Sequence, residues 1–462
     1  MNKKNSSWNS NLGFIFAAIG SAVGLGNIWS FPYKMAQGGG VVFIVTYLLL
    51  TFLVGVPLLV TELSLGRMSD SSVVGAYKRL SDKCTYIGWL SVISAILVMT
   101  YYTALGGYCL RYFFINLKSF IFDEETLSSE LLLNNVLRDI PTSVFFALLF
   151  IVLCYVILSK GISNGIEKFN TIVMPLLFIM LLISIGISFT FDGAVEGIYS
   201  LILKVDTNTN FINVLINAGE QMFFSLSIAM GCMVTYGAYM TGRENIVKNS
   251  VIIAASDTLI AFMAAFAVIP ASFFVHSGEN QSGPKLLFVT LQEVFSLFGR
   301  FGYLFGAMFF LLVIFAAVSS AVAIVEVPVS VIMESGFIGR KVVIFFCCFL
   351  IFIPSIVITA DGMGINGIAV PFADVFKTAK WNRSWLEFVT FITEGIIMPI
   401  TALLTSVYIG WIKGPEIIIK EQKSSCIITL FFKKTFAFTI KYLVPIVVIL
   451  IIIGQISTFF AV

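Results

Sequence analysis

The 462-residue chain is poor in charge, and poorer still in the side chains that carry out chemistry. Only 11% of its residues are Asp, Glu, Lys or Arg, against about 25% in an ordinary soluble domain, so no sizeable soluble domain fits. It has one histidine, His276, and seven scattered cysteines (Cys84, Cys109, Cys154, Cys232, Cys347, Cys348, Cys426) without a C-x-x-C pair or metal-ligand spacing. Metal-cluster and disulfide chemistry are therefore not expected. With no set of His, Cys and Asp at one depth, a membrane enzyme would lack its machinery, and no catalytic residue is nominated. The net charge of +3 and pI near 8.4 are too mild for a nucleic-acid surface. The first apolar run, from Leu12, has no small-residue cleavage pattern and reads as a retained span.

What is abundant is apolar sequence, 58% of the chain with a mean hydropathy of +0.99. A helical span needs about 20 apolar residues. Runs bounded by charges and Gly/Pro clusters predict an all-α, polytopic membrane protein with about eleven spans, numbered 1 to 11. They lie near 11–33, 41–62, 88–113, 142–159, 169–190, 211–240, 251–275, 303–332, 342–359, 386–412 and 436–460. Of the 28 Lys and Arg residues, 18 fall on cytoplasmic segments and 10 on the outer side when the N-terminus is placed inside. That asymmetry predicts N-in and C-out. The loop after span 3, with Asp123, Glu124, Glu125, Glu130 and Asp139, reads as solvated outer surface.

Two spans are weak at their centres. Span 1 carries Gly20-Ser21-Ala22-Val23-Gly24-Leu25-Gly26-Asn27, and span 6 carries Phe224-Ser225-Leu226-Ser227-Ile228-Ala229-Met230-Gly231. Glycine costs about 1 kcal/mol in a helix interior, and Ser or Asn side chains compete for backbone hydrogen bonds. Taken alone, Gly20-x-x-x-Gly24 is equally a helix-contact motif. The two segments lie five spans apart, however, which points to an inverted-repeat transporter with its site near the midplane. The expected organisation is one membrane domain over 1–462. Residues 11–190 (spans 1–5) form a first repeat, 211–412 (spans 6–10) a second, and 436–460 an additional span.

Ionisable residues inside spans are expensive and are site candidates by default. They are Glu62, Glu220, Asp257, Glu326 and Glu394, with Asp257 the sharpest because of its place in Ala254-Ala255-Ser256-Asp257-Thr258-Leu259 near the weak span 6. A carboxylate with unwound carbonyls and Ser/Asn oxygens suits a hard cation; a protonated or Ser-paired structural acid is the alternative. For the four glutamates a structural network is at least as good a reading as a site. Ser319 and Ser320 in span 8 would by themselves be read as bonding back to their own helix. Tyr101-Tyr102 in span 3 reads as packing or as a phenol seeking a partner, which a substrate could supply.

Gly13-Phe14, the run Gly20 to Tyr33, Gly38-Gly39-Gly40, Gly55-Val56-Pro57, Glu62-Leu63-Ser64-Leu65-Gly66-Arg67, Tyr101-Tyr102, Gln221 to Ser227, Asp257-Thr258 and Ala316 to Glu326 together resemble the bacterial neurotransmitter:sodium symporters of the LeuT fold. The likeness covers nearly the whole chain. It implies a 5+5 inverted repeat with helices 1 and 6 broken, and two sodium sites. The first would use the Ala22 carbonyl, Asn27, Ser225 and Asp257 with the substrate carboxylate. The second would use the carbonyls of Gly20, Val23 and Ala316 with the hydroxyls of Ser319 and Ser320. Chloride-requiring relatives place the anion near positions matching Tyr47, Gln221 and Ser225. Here the fixed charge of Asp257 implies chloride independence.

The same resemblance implies a substrate pocket of Ala22, Gly24, Val98, Tyr102, Phe224, Ser225, Ser227, Met230, Ser320 and Ile324. Gly24 stands where monoamine carriers hold an aspartate, which favours an α-amino acid bringing its own carboxylate. The uncharged side-chain end leaves apolar or aromatic substrates, since an unpaired buried charge costs several kcal/mol. The usual outer Arg/Asp pair is matched by Ser30 and Thr390, so closure falls to Phe224 over Tyr102. The matching cytoplasmic gate is Trp8, Tyr239 and Glu334, with Lys4 as a partner for Glu334. The expected activity is sodium-coupled import of a neutral amino acid by alternating access. The expected partners are a small amino acid, sodium ions and the lipid bilayer of the bacterial inner membrane, with no nucleic acid and homodimer formation left open. A sensor of the same fold without turnover is the alternative; a channel would need a ring of polar groups.

Overall fold

In the computed structural model the described residues are 7–124, 127–199, 210–241, 244–276, 285–371, 383–423 and 430–460. Lys4, Glu125 and Cys426 lie outside them. Nine helices among the described residues are long and apolar enough to cross a membrane, or ten if the bent pair at the N-terminus is one span. They are Val41–Ser69, Asp82–Phe122, Ile140–Ser159, Ile162–Ser188, Ile246–Phe274, Gly299–Glu334, Arg340–Asp361, Trp385–Lys413 and Lys433–Ile456, with Asn11–Ala22 and Gly26–Ala36 meeting at a bend of 55°. The expected sixth span is two shorter helices, Phe211–Ser225 and Cys232–Ala238.

Span 8, Gly299–Glu334, is the axis of the molecule. Its most apolar stretch is 83% buried, against 33% in Ile140–Ser159. It packs most extensively on span 3 and also receives the first helix, Asn11–Ala22. The outer helices turn apolar faces away from the protein, as with Phe345, Phe349 and Ile353 of span 9, which are 63%, 53% and 49% exposed. An apolar face of that extent needs lipid rather than water around it.

One surface expectation changes. The acidic outer segment is not merely solvated: Ser129–Arg138 forms a helix that buries Leu132, Leu133, Val136 and Leu137. Its apolar residues recur at helical spacing, which a count of acids overlooks. Asp139 then caps the next helix and pairs with Arg111 at 2.6 Å. Burial pushes the Asp139 carboxyl up, but Thr142 and the Arg111 guanidinium outweigh it and leave it below the ordinary carboxylate value.

Candidate functional site

The first helix begins with Ser10 accepting from the Gly13 N–H and stops where Val23 turns extended (ψ 114°). In a continuous helix the N–H groups of Gly24 and Leu25 would close on the carbonyls of Gly20 and Ser21. Both are diverted. Gly24 donates to Asn27 Oδ1 at 3.1 Å, and Leu25 donates to the Tyr102 hydroxyl at 3.0 Å. The Ser21 carbonyl is taken up by two hydroxyls, Ser227 at 2.7 Å and Ser320 at 3.0 Å. The break therefore keeps its backbone groups occupied inside protein, the condition for non-helical backbone at membrane depth.

In span 6 the helix ends at Ser225, and Ser227, Ala229 and Gly231 follow with φ of 51°, 66° and 79°. Left-handed backbone at non-glycine residues costs on the order of 1–3 kcal/mol each. One compensating contact is Glu62, whose Oε1 accepts the Ala229 N–H at 2.7 Å.

Between the breaks lies Asp257, fully buried. Its Oδ1 accepts from Asn27 Nδ2 at 2.7 Å and its Oδ2 from Ser225 Oγ at 2.7 Å and Tyr47 at 3.4 Å. Asn27 Nδ2 also lies 3.1 Å from Ser225 Oγ. Asn27, Ser225 and Asp257, from spans 1, 6 and 7, are thus drawn together, and Ala22 is the last residue of the first helix before the break. Among the described residues no ion pair includes Asp257. A buried carboxylate with three donors and no basic partner is a natural seat for a cation, and the surrounding oxygens are hard ligands.

Parts of the second nominated set approach one another across helices. Gly20 lies against span 8: a side chain built on it would come within 3.3 Å of Ser319 Cβ. Ser319 Oγ donates to the Ala316 carbonyl at 2.9 Å, so this hydroxyl does bond back to its own helix, while Ser320 reaches across to Ser21. Val23 is where the backbone leaves the helix.

Of the pocket residues, Gly24, Tyr102, Phe224, Ser227 and Ser320 meet around the span 1 break. A side chain on Gly24 would collide with the Tyr102 hydroxyl, and one on Gly26 would come within 2.6 Å of the Phe224 ring. The Tyr102 and Phe224 ring centroids are 6.5 Å apart. Val98, Met230 and Ile324 are buried in the same apolar core, and no acid or base is among the nominated lining residues. Tyr101, adjacent in sequence, turns elsewhere: its hydroxyl donates to Glu394 at 2.7 Å, so its partner is a carboxylate of span 10 and not a substrate.

Charged groups lie closer to the nominated gate residues than the sequence reading allowed. Ser30 donates to Gln221 at 3.0 Å, and one helical turn further along the chain Lys34 pairs with Glu220 at 3.2 Å, joining the half of span 1 after its break to the half of span 6 before its own. Next to the start of the first helix the Trp8 indole donates to the Tyr236 carbonyl at 3.1 Å and stacks edge-on with Tyr236 and Tyr239. Tyr239 donates to Glu326 at 2.8 Å, and Arg340 grips both Glu326 oxygens at 2.9 and 2.7 Å. Glu334 accepts from Ser72; its expected partner Lys4 lies outside the described residues. All four glutamates of the spans are therefore engaged: Glu62 with backbone, the others with side chains. Lys34, Gln221 as a gate residue, and Arg340 were not nominated from sequence. Lys34 was discoverable as the charge that immediately follows span 1.

Comparison with known proteins adds three likenesses. The model of a family described as the sodium:neurotransmitter symporter family matches residues 5–126 and 132–461. An uncharacterized sodium-dependent transporter of Bacillus subtilis is 28% identical over 457 residues, covering 98% of each chain, and one of Methanocaldococcus jannaschii is 31% identical over 432 residues, covering 89% of this chain and 83% of its own length. The crystal structure of MhsT in complex with L-phenylalanine superposes with a TM-score of 0.87 at 28% identity, covering 97% of this chain and 99% of that one.

Proposed function

The chain belongs to the sodium:neurotransmitter symporter family, and on that premise we propose that it imports a neutral, hydrophobic or aromatic α-amino acid with sodium by alternating access, without chloride. The observation that carries this reading is Asp257: fully buried and without a basic partner among the described residues, it lies between two helices that have released backbone oxygens. One sodium ion fits Asp257, Asn27, Ser225 and the Ala22 carbonyl. Asn27 Oδ1 already accepts from Gly24 but keeps a second lone pair for a cation. A second sodium fits the Gly20, Val23 and Ala316 carbonyls with Ser319 and Ser320, a neutral cage suited to an ion that must leave.

The substrate carboxylate completes the first cation shell and accepts a hydrogen bond from the Tyr102 hydroxyl, whose oxygen is already the acceptor for Leu25. Substrate and ion then each raise the other's affinity, a reciprocal coupling. Gly24 leaves no room for a carboxylate of the protein's own beside Tyr102. Phe224 covers the pocket. The uncharged side-chain end, together with L-phenylalanine bound in the similar MhsT, supports an aromatic substrate. The charge of Asp257 occupies the neighbourhood of Tyr47 and Ser225, where an added anion would be repelled. Gating residues are Trp8, Tyr239 and Glu334 inside and Phe224 outside. The reading includes eleven spans in two five-span repeats, 11–190 and 211–412, with N-in and C-out in a bacterial inner membrane.

Proteoliposomes with an imposed sodium gradient should accumulate labelled Phe, Tyr or Trp, and gluconate in place of chloride should leave the rate unchanged. Binding without accumulation would make the protein a sensor; collapse on removing chloride would refute the anion argument.

A further inference from the structure

The second cation set has an unassigned neighbour on span 5. Asn170, in the helix Lys168–Ser188, is fully buried. Its amide nitrogen donates to the Ile166 carbonyl at 2.9 Å. That bond fixes the sense of the amide, because a carbonyl accepts from the nitrogen and not from the oxygen. The oxygen faces away from its own helix and has no hydrogen-bond donor. Buried acceptors are almost always satisfied, and one that is not calls for a partner the protein itself does not supply.

Where that oxygen points is informative. A side chain built on Gly20 would collide with Asn170 Oδ1, and it would also meet Ser319 Cβ at 3.3 Å. Oxygen-bearing groups of spans 5, 1 and 8 therefore converge on one glycine. That glycine is also where the first helix releases a carbonyl, because the Gly24 N–H that would close on Gly20 is held by Asn27. An amide oxygen is a hard, neutral ligand of the same kind as the backbone carbonyls beside it.

We propose that Asn170 Oδ1 is a further ligand of the second sodium ion, supplied by span 5. The proposal rests on reading Gly20, Val23, Ala316, Ser319 and Ser320 as a sodium site. It raises that site from five protein oxygens to six without adding charge, and it ties the ion to three helices rather than two.

The test is the sodium dependence of thermal stability of the purified protein in detergent without amino acid, with binding of a labelled aromatic amino acid at saturating sodium alongside. Asn170→Ala should raise the sodium concentration for half-maximal stabilisation roughly fivefold, the worth of one neutral oxygen partner expressed as affinity. Amino-acid affinity at saturating sodium should stay unchanged. Asn170→Asp keeps an oxygen in place and adds charge, so its sodium requirement should fall below that of the unmodified protein. An Asn170→Ala requirement equal to that of the unmodified protein would reduce Asn170 to packing or to holding a water, and overturn the proposal. If Asn170→Ala does not fold, Asn170→Asp decides, and a raised or unchanged requirement there overturns it equally. An unmodified protein that sodium does not stabilise would defeat the sodium reading itself. A responsive unmodified protein beside indifferent variants defeats only the role of Asn170.

Discussion

Replacing Gly24 by alanine adds one methyl group at the point where the span 1 break, Tyr102 and Ser320 meet. The new carbon would overlap the Tyr102 hydroxyl and stand 3.3 Å from both Ser320 Cβ and Oγ. Reaching ordinary van der Waals separation requires the phenol oxygen to retreat by roughly 1 Å. Tyr102 cannot do so freely: it is buried, its ring lies against Phe224, and its oxygen is the acceptor for the Leu25 N–H at 3.0 Å. Retreat stretches that bond past hydrogen-bonding range and strands a buried donor, at about 1–3 kcal/mol. Overpacking costs about 1–3 kcal/mol more. Because one displacement relieves part of both, the combined cost is taken as about 2–4 kcal/mol, which corresponds to roughly 30- to 1,000-fold weaker amino-acid binding. The assay is equilibrium binding of labelled phenylalanine to purified protein in saturating sodium. Sodium-induced thermal stabilisation without amino acid serves as the control for folding. Affinity within about threefold of the unmodified protein, a change under 1 kcal/mol, would refute the assignment of Tyr102 and Gly24 to the substrate carboxylate.

Asp257→Asn preserves shape but removes the charge, so uptake should need much more sodium and should become sensitive to replacement of chloride by gluconate; uptake with unaltered sodium dependence would count against the first cation site. Glu62→Ala removes the acceptor of the Ala229 N–H within the left-handed bend and should lower stability by about 1–3 kcal/mol, read as a drop in the detergent melting temperature, while Glu62→Gln should retain most of it. Arg340→Ala leaves Glu326 buried and unpaired; with breaking such a pair costing about 3–5 kcal/mol, the cytoplasmic side should open more often. In a background with the other cysteines removed, maleimide labelling of the buried Cys232 from the cytoplasmic face should then rise, and equal labelling would exclude a gating role for the pair.

The sequence announced residue types well and partners poorly. The Gly/Ser strings of spans 1 and 6 were legible as breaks because helix propensity is local, and Asp257 was legible because a charge in an apolar run stands out. Asn27 and Ser225 came only through family resemblance, although their convergence on Asp257 is now plain from distances. Lys34 and Glu220 are 186 positions apart, and Tyr101 and Glu394 are 293 apart. Such pairings are decided by how helices pack, about which composition and periodicity are silent. Asn170 was invisible for a further reason: an amide in a helix ordinarily bonds to its own backbone, and half of this one does. The second break conceals its cause in the same way, since the left-handed turn at Ala229 depends on Glu62 from another span.

One oxygen atom, the Ser21 carbonyl, is held by Ser227 of span 6 and by Ser320 of span 8. If spans 1 and 6 rock together against span 8, the first bond travels with them and the second is sheared. The slip plane of the machine then runs between Ser21 and Ser320. A sodium ion in the proposed second site would straddle that plane, with Gly20 and Val23 on one face and Ala316, Ser319 and Ser320 on the other. Such an ion would act as a shear pin: seated, it would lock the two bodies in register, and its loss to a sodium-poor compartment would free them to slide.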